Sequence, residues 1–312
     1  MSVADWLMSG DPAIRWQTMR DLLDADPVEV ADERARVARE GWGARLLALQ
    51  RPDGSWAGGA WFPEGDRESD EGQPWTSTAH VLMLLTLLGA DPDAGPAHEA
   101  AERAFAAVLW EDGDEPFLEG ESEACTLATA IAVGAYFGHD MAGPAARLVA
   151  DAREDGGWNC DPPSLSRRSS LHSTIAALEA LEAQHRAHGL TPEALEAVDD
   201  AREYLLMRGL MYGRRSGAVI DPAIQRFSFP TYWHYDVLRA LDHLRAADAP
   251  RDPRLADAIA LLRARRSATG LWPLENTHRG VVPLVMEDGD GRPSRWNTLH
   301  ALRVLRWWEG RD

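Results

Sequence analysis

The sequence predicts an all-α fold, a barrel of inner and outer helices in an (α/α) toroid of five or six pairs. The first observation is a recurring unit: a charged amphipathic helix ends in a Gly-rich turn, often with Trp, and a more apolar helix follows. The second is that no convincing run of residues alternates in the way typical of strands. Helix pairs that cannot bury both faces alone must stack on neighbours, and a closed ring leaves no open end. An open superhelix is the structural alternative.

The recurring unit is expected five times. The charged helices are expected at 37–50, 97–109, 143–153, 192–208 and 253–266. The apolar helices are expected at 75–89, 122–138, from 170, and at 229–244 and 294–308. Aligning their apolar stripes matches His80, Thr126, Thr174, Asp236 and His300. A helix at 12–23 belongs to a degenerate first pair within 1–35, so we expect one domain over 1–312 with its repeats at about 36–308.

The composition limits the partners. The chain has 312 residues, is 45% hydrophobic and carries a formal charge of −18. That charge disfavours nucleic acids and anionic membranes, because phosphate contacts need clustered Lys and Arg. The 13 Trp, against 5 Tyr and 6 Phe, indicate an aromatic cavity lining and therefore a small-molecule substrate. Large core side chains are the alternative explanation for the Trp residues.

Several features favour a cytoplasmic protein. Residues 1–10 lack the basic and apolar segments of a secretory signal. The longest nearly apolar run, 125–138, is too short to span a bilayer. The chain has two cysteines, which without a signal we expect to be thiols in a reducing compartment rather than a disulfide framework. The sequence indicates no obligate protein partner.

Three turn segments carry a family resemblance. They read "LLALQRPDGSWAGG", "DAREDGGWNC" and "ARRSATGLWPLE". They resemble the Gln/Trp-bearing repeats of squalene cyclases and of protein prenyltransferase β subunits, over roughly 36–308, and are closest to stand-alone bacterial proteins of this type. The resemblance implies an α/α toroid with a central cavity and an isoprenoid as a candidate substrate.

The acidic motif of class II terpene cyclases is not present. That family protonates an alkene with an Asp-x-Asp-Asp motif, whereas here Ala197 stands where the first Asp would precede Val198-Asp199-Asp200. The segments "DGDE" at 112–115 and "DGDG" at 288–291 also depart from the motif. A loose DDxxE at 199–203 lies on a charged helix, where a solvated face is the expected role. These departures argue against ordinary triterpene-type cyclisation.

The prenyltransferase resemblance implies a zinc site instead. In that family an Asp and a Cys two residues apart at one inner-helix start, and a His at the next, hold the metal. Here Glu123 and Cys125 occupy one such start and His172 the next, with Cys160 in the loop between them. Thiolate and imidazole are favoured zinc ligands. We therefore expect Zn²⁺ on Cys125, Cys160 and His172 with Glu123 adjacent; inert buried thiols and a hydrogen-bonded histidine are the alternative.

Four further residues are candidates for proton transfer. "TYWHYDVL" supplies His234 and Asp236, and "WPLENTH" supplies Glu275 and His278. A histidine with a nearby carboxylate is suited to acid–base catalysis near neutral pH. The alternative is that these side chains only bond the free N–H groups at helix starts.

Other residues are candidates for binding the substrate. Trp75, Trp233 and Trp296 begin apolar helices and are expected together near one end of the inner ring. His80 and His300 are expected to be polar groups lining the cavity. Arg15, like Arg295, is a candidate for binding an anionic group at the cavity mouth, with a salt bridge as the alternative role. The candidates for substrate binding are therefore Trp75, His80, Trp233, Trp296, His300 and Arg15.

Three functions remain open at this point. The first is a zinc-dependent transferase, cyclase or hydrolase of the prenyltransferase or squalene-cyclase type, in which the metal activates a thiol or water. The second is a metal-free, terpene cyclase-like enzyme that uses a single Asp or Glu as the acid. The third is a non-catalytic toroid that binds a ligand or protein. Metal content separates the first from the others, and product formation separates the second from the third.

Overall fold

The computed structural model describes residues 2–65 and 72–310. These residues form thirteen α-helices and three short 3-10 helices, and their strand-type pairing is limited to isolated bridges. The all-α prediction is therefore confirmed. Within the same described ranges, no helix is long and apolar enough to cross a membrane.

The chain divides into two compact units. Unit I comprises Met1–Glu33, Arg202–His278 and Met286–Asp312, and unit II comprises Arg34–Ala201 and Arg279–Val285. The helices of unit I are α1 (Val3–Met8), α2 (Pro12–Leu22), α11 (Val237–Ala246), α12 (Ala256–Ala264) and α13 (Arg295–Glu309). Those of unit II are α4 (Gly41–Ala48), α5 (Thr78–Leu88), α6 (Gly95–Ala107), α7 (Ala124–Tyr136), α8 (Ala142–Ala150) and α9 (Leu171–His188). The division falls within α3 (Pro27–Ala35) and α10 (Pro192–Leu206).

The apolar helices pack against one another within each unit. In unit II, α7 lies between α5 and α9 and contacts both. In unit I, α13 contacts α11 and α2. The predicted charged helices α4, α6, α8, α10 and α12 alternate with them along the chain. The ring that would close over both units stays a prediction.

The apolar helix expected at 229–244 begins later than predicted. Helix α11 starts at Val237, and Thr231 to Tyr235 form a loop in which Tyr232 has a left-handed φ of 47°. Asp236 is the N-cap, and its side chain accepts a hydrogen bond from the backbone N–H of Arg239. An Asp that caps a helix ends the preceding loop at that residue, so His234 lies outside the helix.

One arrangement of Trp and Thr recurs in three helix pairs. The Trp of the Gly-rich turn donates its indole N–H to a carbonyl ten residues earlier, in the last turn of the charged helix. Its backbone N–H donates to the hydroxyl of a Thr in the first turn of the apolar helix. The pairs are Trp56–Thr78, Trp158–Thr174 and Trp272–Thr298, with N to Oγ1 distances of 3.0, 3.1 and 3.0 Å. We call this arrangement the Trp–Thr frame.

The Trp–Thr frame fixes which residues correspond between repeats. Thr78, Thr174 and Thr298 are equivalent, and His80 and His300 each lie two residues after the Thr. The sequence alignment matched His80 with His300 correctly. The alignment of Thr174 with these histidines was wrong. The Thr174 hydroxyl accepts a hydrogen bond from the backbone N–H of Trp158, so Thr174 corresponds to Thr78.

Candidate active site

The strongest candidate site lies within unit I, where the starts of α11 and α13 meet two loops. The carbonyl of Phe227 accepts hydrogen bonds from the Glu275 N–H and from Asn297 Nδ2. The Ser294 N–H donates to the Trp272 carbonyl. These bonds tie the loop before α11 and the loop after Trp272 to the first turn of α13, so the side chains they carry have fixed positions.

An aromatic pair forms one part of the site. The rings of Phe229 and Trp296 stack with centroids 4.4 Å apart and an interplanar angle of 10°. His300 stands edge-on to both, with centroid distances of 6.1 Å to Phe229 and 5.8 Å to Trp296. Aromatic faces attract positive charge, so such a group can stabilise a cationic intermediate.

Glu287 lies beside this pair, in the loop that leads to α13. Its Oε1 accepts from the Ser294 hydroxyl at 2.6 Å and from the Trp296 N–H at 3.3 Å. Among the described residues, Oε2 has no hydrogen-bond partner. Burial disfavours the charged form and raises the pKa of Glu287 to about 7. The carboxyl group is thus anchored by one oxygen and able to carry a proton on the other.

Sequence reasoning did not select Glu287. The residue directly precedes the "DGDG" segment, which failed the Asp-x-Asp-Asp pattern. Its one local signal is its place before the helix that begins with Ser294 and Trp296. Its raised pKa depends on burial in the folded chain, which no short motif records.

His300 is the second titratable group beside Trp296. It is half-buried, and its ring nitrogens form no hydrogen bond with any described residue. Burial, followed by repulsion from the Arg303 guanidinium, lowers the pKa of His300 to about 3. The imidazole is therefore neutral at physiological pH.

A buried ion network supports Arg303. Its guanidinium donates to both carboxylate oxygens of Asp242, at 2.8 and 2.6 Å, and to Asp21 at 3.2 Å. Gln17 accepts a further bond at 3.0 Å. The two cations Arg303 and Arg245 hold the pKa of Asp242 far below its usual range in spite of the burial that raises it. The network fixes a positive charge one turn beyond His300 on α13.

Two of the predicted acid–base residues have structural partners. Asp236 is 2% exposed, and its two oxygens accept from the Ser228 and Arg239 N–H groups at 3.0 and 2.8 Å. Burial raises the pKa of Asp236 to about 6. Glu275 accepts from the Phe227 N–H at 3.1 Å and forms an ion pair with Arg265 at 3.3 Å. Helix capping and loop anchoring account for both contacts, and a catalytic role for either stays a prediction.

The predicted histidines of this region do come together. His234 lies between Trp233 and His278, with ring centroids 3.7 and 3.6 Å away and nearly parallel planes. Arg239 holds the loop by donating to the carbonyls of Tyr232 and His234, at 2.9 and 2.6 Å. The structure thus presents Trp233, His234 and His278 as one stack of half-buried rings.

The remaining predicted binding residues lie elsewhere. In unit II, Trp75 and His80 are buried, and the Trp75 indole donates to the Arg279 carbonyl at 2.9 Å. In unit I, Arg15 forms an ion pair with Glu33 and donates to the Gly10 carbonyl. A single lumen shared by Trp75, Trp233 and Trp296 would involve both units and stays a prediction.

The two cysteines come together as expected but in a different chemical state. Cys125 and Cys160 are joined by a disulfide, with Cα atoms 6.3 Å apart, so the prediction of thiols was wrong. The sequence does not reveal this pairing, because the two cysteines are 35 residues apart. In the fold, the first turn of α7 and the loop before α9 lie side by side. The Ser173 hydroxyl lies 3.4 Å from each sulfur.

The residues at this position do not fit a zinc site in this state. Disulfide sulfurs are not thiolate ligands. Glu123 is exposed, and His172 is half-buried with its backbone N–H bonded to Ser170 Oγ. Within 2–65 and 72–310, no group of three or more His, Cys, Asp or Glu side chains is placed to hold a metal ion. Bound zinc stays a prediction that metal analysis has to test.

The chain is similar in structure to a type II terpene cyclase. The similar structure is MstE from Scytonema, an Asp-to-Asn variant in complex with its substrate geranylgeranyl dihydroxybenzoate. The match has 16% sequence identity and a TM-score of 0.38, and it covers 96% of this chain and 86% of the other. No family model and no curated protein matches the sequence. A likeness at this TM-score carries no information about activity, which has to come from the site itself.

Proposed function

We propose that the protein is a metal-free, terpene cyclase-like enzyme in which Glu287 gives the first proton to an apolar, isoprenoid substrate. The observation that carries the proposal is the Glu287 carboxyl group. Ser294 and Trp296 anchor its Oε1, and its Oε2 has no partner among the described residues. Burial keeps a large fraction of this group protonated at neutral pH, as a proton donor requires.

The strength of this acid indicates the kind of atom it protonates. A carboxyl group with a pKa of about 7 is a weaker acid than an ordinary carboxyl group. It therefore suits an oxygen of an epoxide, carbonyl or hydroxyl better than the less basic carbon of an alkene. The missing Asp-x-Asp-Asp motif agrees with this assignment, because a single buried glutamate takes the place of that motif as the acid. We therefore expect the substrate to be an isoprenoid with an oxygen-containing group at one end, and we expect protonation of that oxygen to start the reaction.

The aromatic rings supply the second requirement of the reaction, which is stabilisation of the carbocation. When a protonated epoxide opens, one carbon–oxygen bond breaks, which leaves a carbocation on one carbon and a hydroxyl group on the next. The stacked Phe229 and Trp296 rings lie next to the Glu287 anchor. Their π systems would stabilise the cation without capturing it. The stack of Trp233, His234 and His278 belongs to the same unit and is a second group of aromatic rings there.

A matched pair of substrates tests the proposal. Purified protein is incubated with oxidosqualene or with squalene, in the presence of a chelator, and products are identified by gas chromatography and mass spectrometry. We expect cyclised products from the epoxide and much less from the alkene. Glu287→Gln should lower turnover by about a hundredfold or more, because it removes the proton donor but keeps the side-chain shape.

The control variant is Glu196→Gln, which removes one exposed carboxylate from α10 in the same way. It should behave like the wild type. Equal turnover by the wild type and Glu287→Gln would refute the proposal. Activity that disappears with the chelator, together with bound zinc in elemental analysis, would favour the zinc-dependent alternative. Binding of oxidosqualene without product would favour a non-catalytic toroid.

A further inference from the structure

The Cys125–Cys160 disulfide lies where the starts of two helices of unit II meet. Cys125 is the second residue of α7, Cys160 is in the loop before α9, and Ser173 is the third residue of α9. Both cysteines are half-buried rather than enclosed, so the bond between them is not sealed from solvent. Exposed disulfides are the ones that exchange with thiols most readily. A thiolate in solution can therefore attack this disulfide.

The surroundings of Cys160 suit its sulfur to leave as a thiolate. The backbone nitrogen of Cys125 donates to Cys160 Sγ at 3.2 Å, and the Ser173 hydroxyl lies 3.4 Å from it. The N–H groups of the first turn also give the start of α7 a partial positive charge. Both effects stabilise a thiolate, and a more stable thiolate leaves faster. Cys125 Sγ contacts the same hydroxyl at 3.4 Å but accepts no backbone N–H among the described residues, so we expect it to be the sulfur that is attacked.

The position of the two sulfurs does not depend on the disulfide alone. Helices α7 and α9 pack against each other through buried apolar side chains. The loop before α9 is held at Trp158 by the Trp–Thr frame and by the Ser170 N–H, which donates to the Trp158 carbonyl at 2.7 Å. Asp155 accepts from the N–H and the hydroxyl of Ser169. The two sulfurs should therefore stay near each other after the bond between them is broken.

We infer that Cys125 and Cys160 are a redox-active pair, a site at which a dithiol reduces the disulfide of the folded protein and an oxidised dithiol restores it. A thiolate of the dithiol attacks Cys125 Sγ, and the electron pair of the disulfide bond passes to Cys160 Sγ. The second thiolate of the dithiol then attacks the sulfur bound to Cys125, which releases Cys125 as a thiolate. Two electrons and two protons pass from the dithiol to the cysteines, and the dithiol leaves as a disulfide.

A dithiol fits this site better than a monothiol. A monothiol would leave a mixed disulfide on Cys125 with the Cys160 thiolate beside it, and that thiolate would expel the monothiol and re-form the original bond. The second thiol of a dithiol resolves the mixed disulfide first. Reduction should loosen the largely exposed segment 161–168, because it removes the covalent link between the loop and α7. The redox-active pair lies in unit II and does not rest on the proposed function.

Exchange in the folded protein tests the inference. Oxidised wild-type protein is incubated in native buffer with dithiothreitol, or with glutathione at the same thiol concentration, and both cysteines are followed by alkylation and mass spectrometry. We expect dithiothreitol to expose both thiols while tryptophan fluorescence stays that of the folded protein, and glutathione to reduce about tenfold less protein. Oxidised dithiothreitol should then restore the disulfide. Thiols that appear only in denaturant, equal reduction by glutathione, or failure to re-form the bond would each overturn the inference.

Two serine variants test the part played by the Ser173 hydroxyl. Ser173→Ala should slow reduction by dithiothreitol about threefold to tenfold, because the leaving thiolate loses a donor. The matched control, Ser122→Ala, removes an exposed hydroxyl near the start of α7 and should be reduced at the wild-type rate. Equal rates in the two variants would overturn the role given to Ser173.

Limited proteolysis of the wild type measures the effect on the loop. Trypsin should cleave after the exposed Arg167 and Arg168 faster in the reduced form than in the oxidised form. Equal cleavage of the two forms would overturn the loosening of segment 161–168.

Discussion

The starts of α5 and α13 are built on the same Trp–Thr frame and carry a histidine at the same position, yet the two histidines differ. At α5 the Ser77 hydroxyl donates to the Trp61 carbonyl, so it accepts from His80 Nδ1 at 2.7 Å. His80 is 0% exposed and contacts the rings of Trp61 and Trp75.

At α13 the residue before the Thr is Asn297, not Ser. Its amide donates to the carbonyls of Phe227 and Pro273, and His300 is left without a partner among the described residues. The Trp–Thr frame therefore fixes the position of the histidine on its helix. The residue before the Thr determines whether that histidine is hydrogen-bonded. This difference separates a histidine that is hydrogen-bonded within the fold from one that is not.

The start of α9 extends the comparison to a third frame, and its disulfide should have the largest effect on stability. Ser173 occupies the position of Ser77 and contacts the Cys125–Cys160 pair. The disulfide lowers the conformational entropy of the unfolded chain by closing a loop between cysteines 35 residues apart. Cys160→Ser should therefore lower the free energy of unfolding by about 3–4 kcal/mol. Denaturant unfolding measures it. Two titratable thiols in the wild type without reductant would contradict the disulfide.

The histidine pair gives the sharpest test of the comparison itself. His80→Ala should lower the free energy of unfolding by about 3 kcal/mol, because it opens a cavity between two Trp rings and removes the buried hydrogen bond to Ser77. His300→Ala should cost about 1 kcal/mol or less, since it breaks no hydrogen bond. Thermal and denaturant unfolding would show the difference. Equal losses would mean that the two histidines have the same structural role.

Removal of the Thr hydroxyl should lower the free energy of unfolding by the same amount in each of the three Trp–Thr frames. Thr78→Val, Thr174→Val and Thr298→Val each leave a buried Trp N–H without its acceptor. Each should cost about 1–2 kcal/mol, and the three values should agree closely. A single variant that is silent would show that its Trp–Thr pair does not support the fold.

Over a change of a single pH unit, the pH dependence should be a small effect. The pKa of each histidine is lowered to about 3, so the unfolded chain binds protons that the folded chain does not. Stability is then present above the unfolded pKa of about 6.5 and is lost as the pH falls below it, by about 1 kcal/mol per pH unit for each histidine. His300→Phe should reduce this slope by one histidine's share while His80 still contributes. An unchanged slope would mean that His300 is charged in the folded protein.

Most of the helices could be predicted because their apolar periodicity and Gly–Trp turns are local signals. Helices α1 and α3 were not predicted, and their burial explains why. α3 buries no residue and α1 buries only Leu7, so neither shows an apolar stripe. The sequence predicts helix over 231–235 because the aromatic residues there resemble an apolar stripe, whereas in the structure the helix begins after its N-cap, Asp236.

The site was predictable only in part. Trp296, His300, Trp233, His234 and His278 were selected because they stand near helix starts after turns. Glu287 was missed because its protonation depends on how deeply the fold buries it, which the local sequence does not show. The state of Cys125 and Cys160 was predicted wrongly because it depends on an approach across 35 residues rather than on local sequence.

The Trp–Thr frame also has a consequence for how such a chain can diversify. The frame clamps both ends of each connecting segment, yet the distance along the chain from Trp to Thr varies from 16 to 22 to 26 residues. Lengthening a closed loop costs little, about 0.6 kcal/mol for each doubling. The length and sequence of the connecting segment can therefore change while the Trp and Thr that hold its two ends stay in place. Exchanging the segment that carries Glu287 for one of another length is a route to new chemistry on an unchanged scaffold.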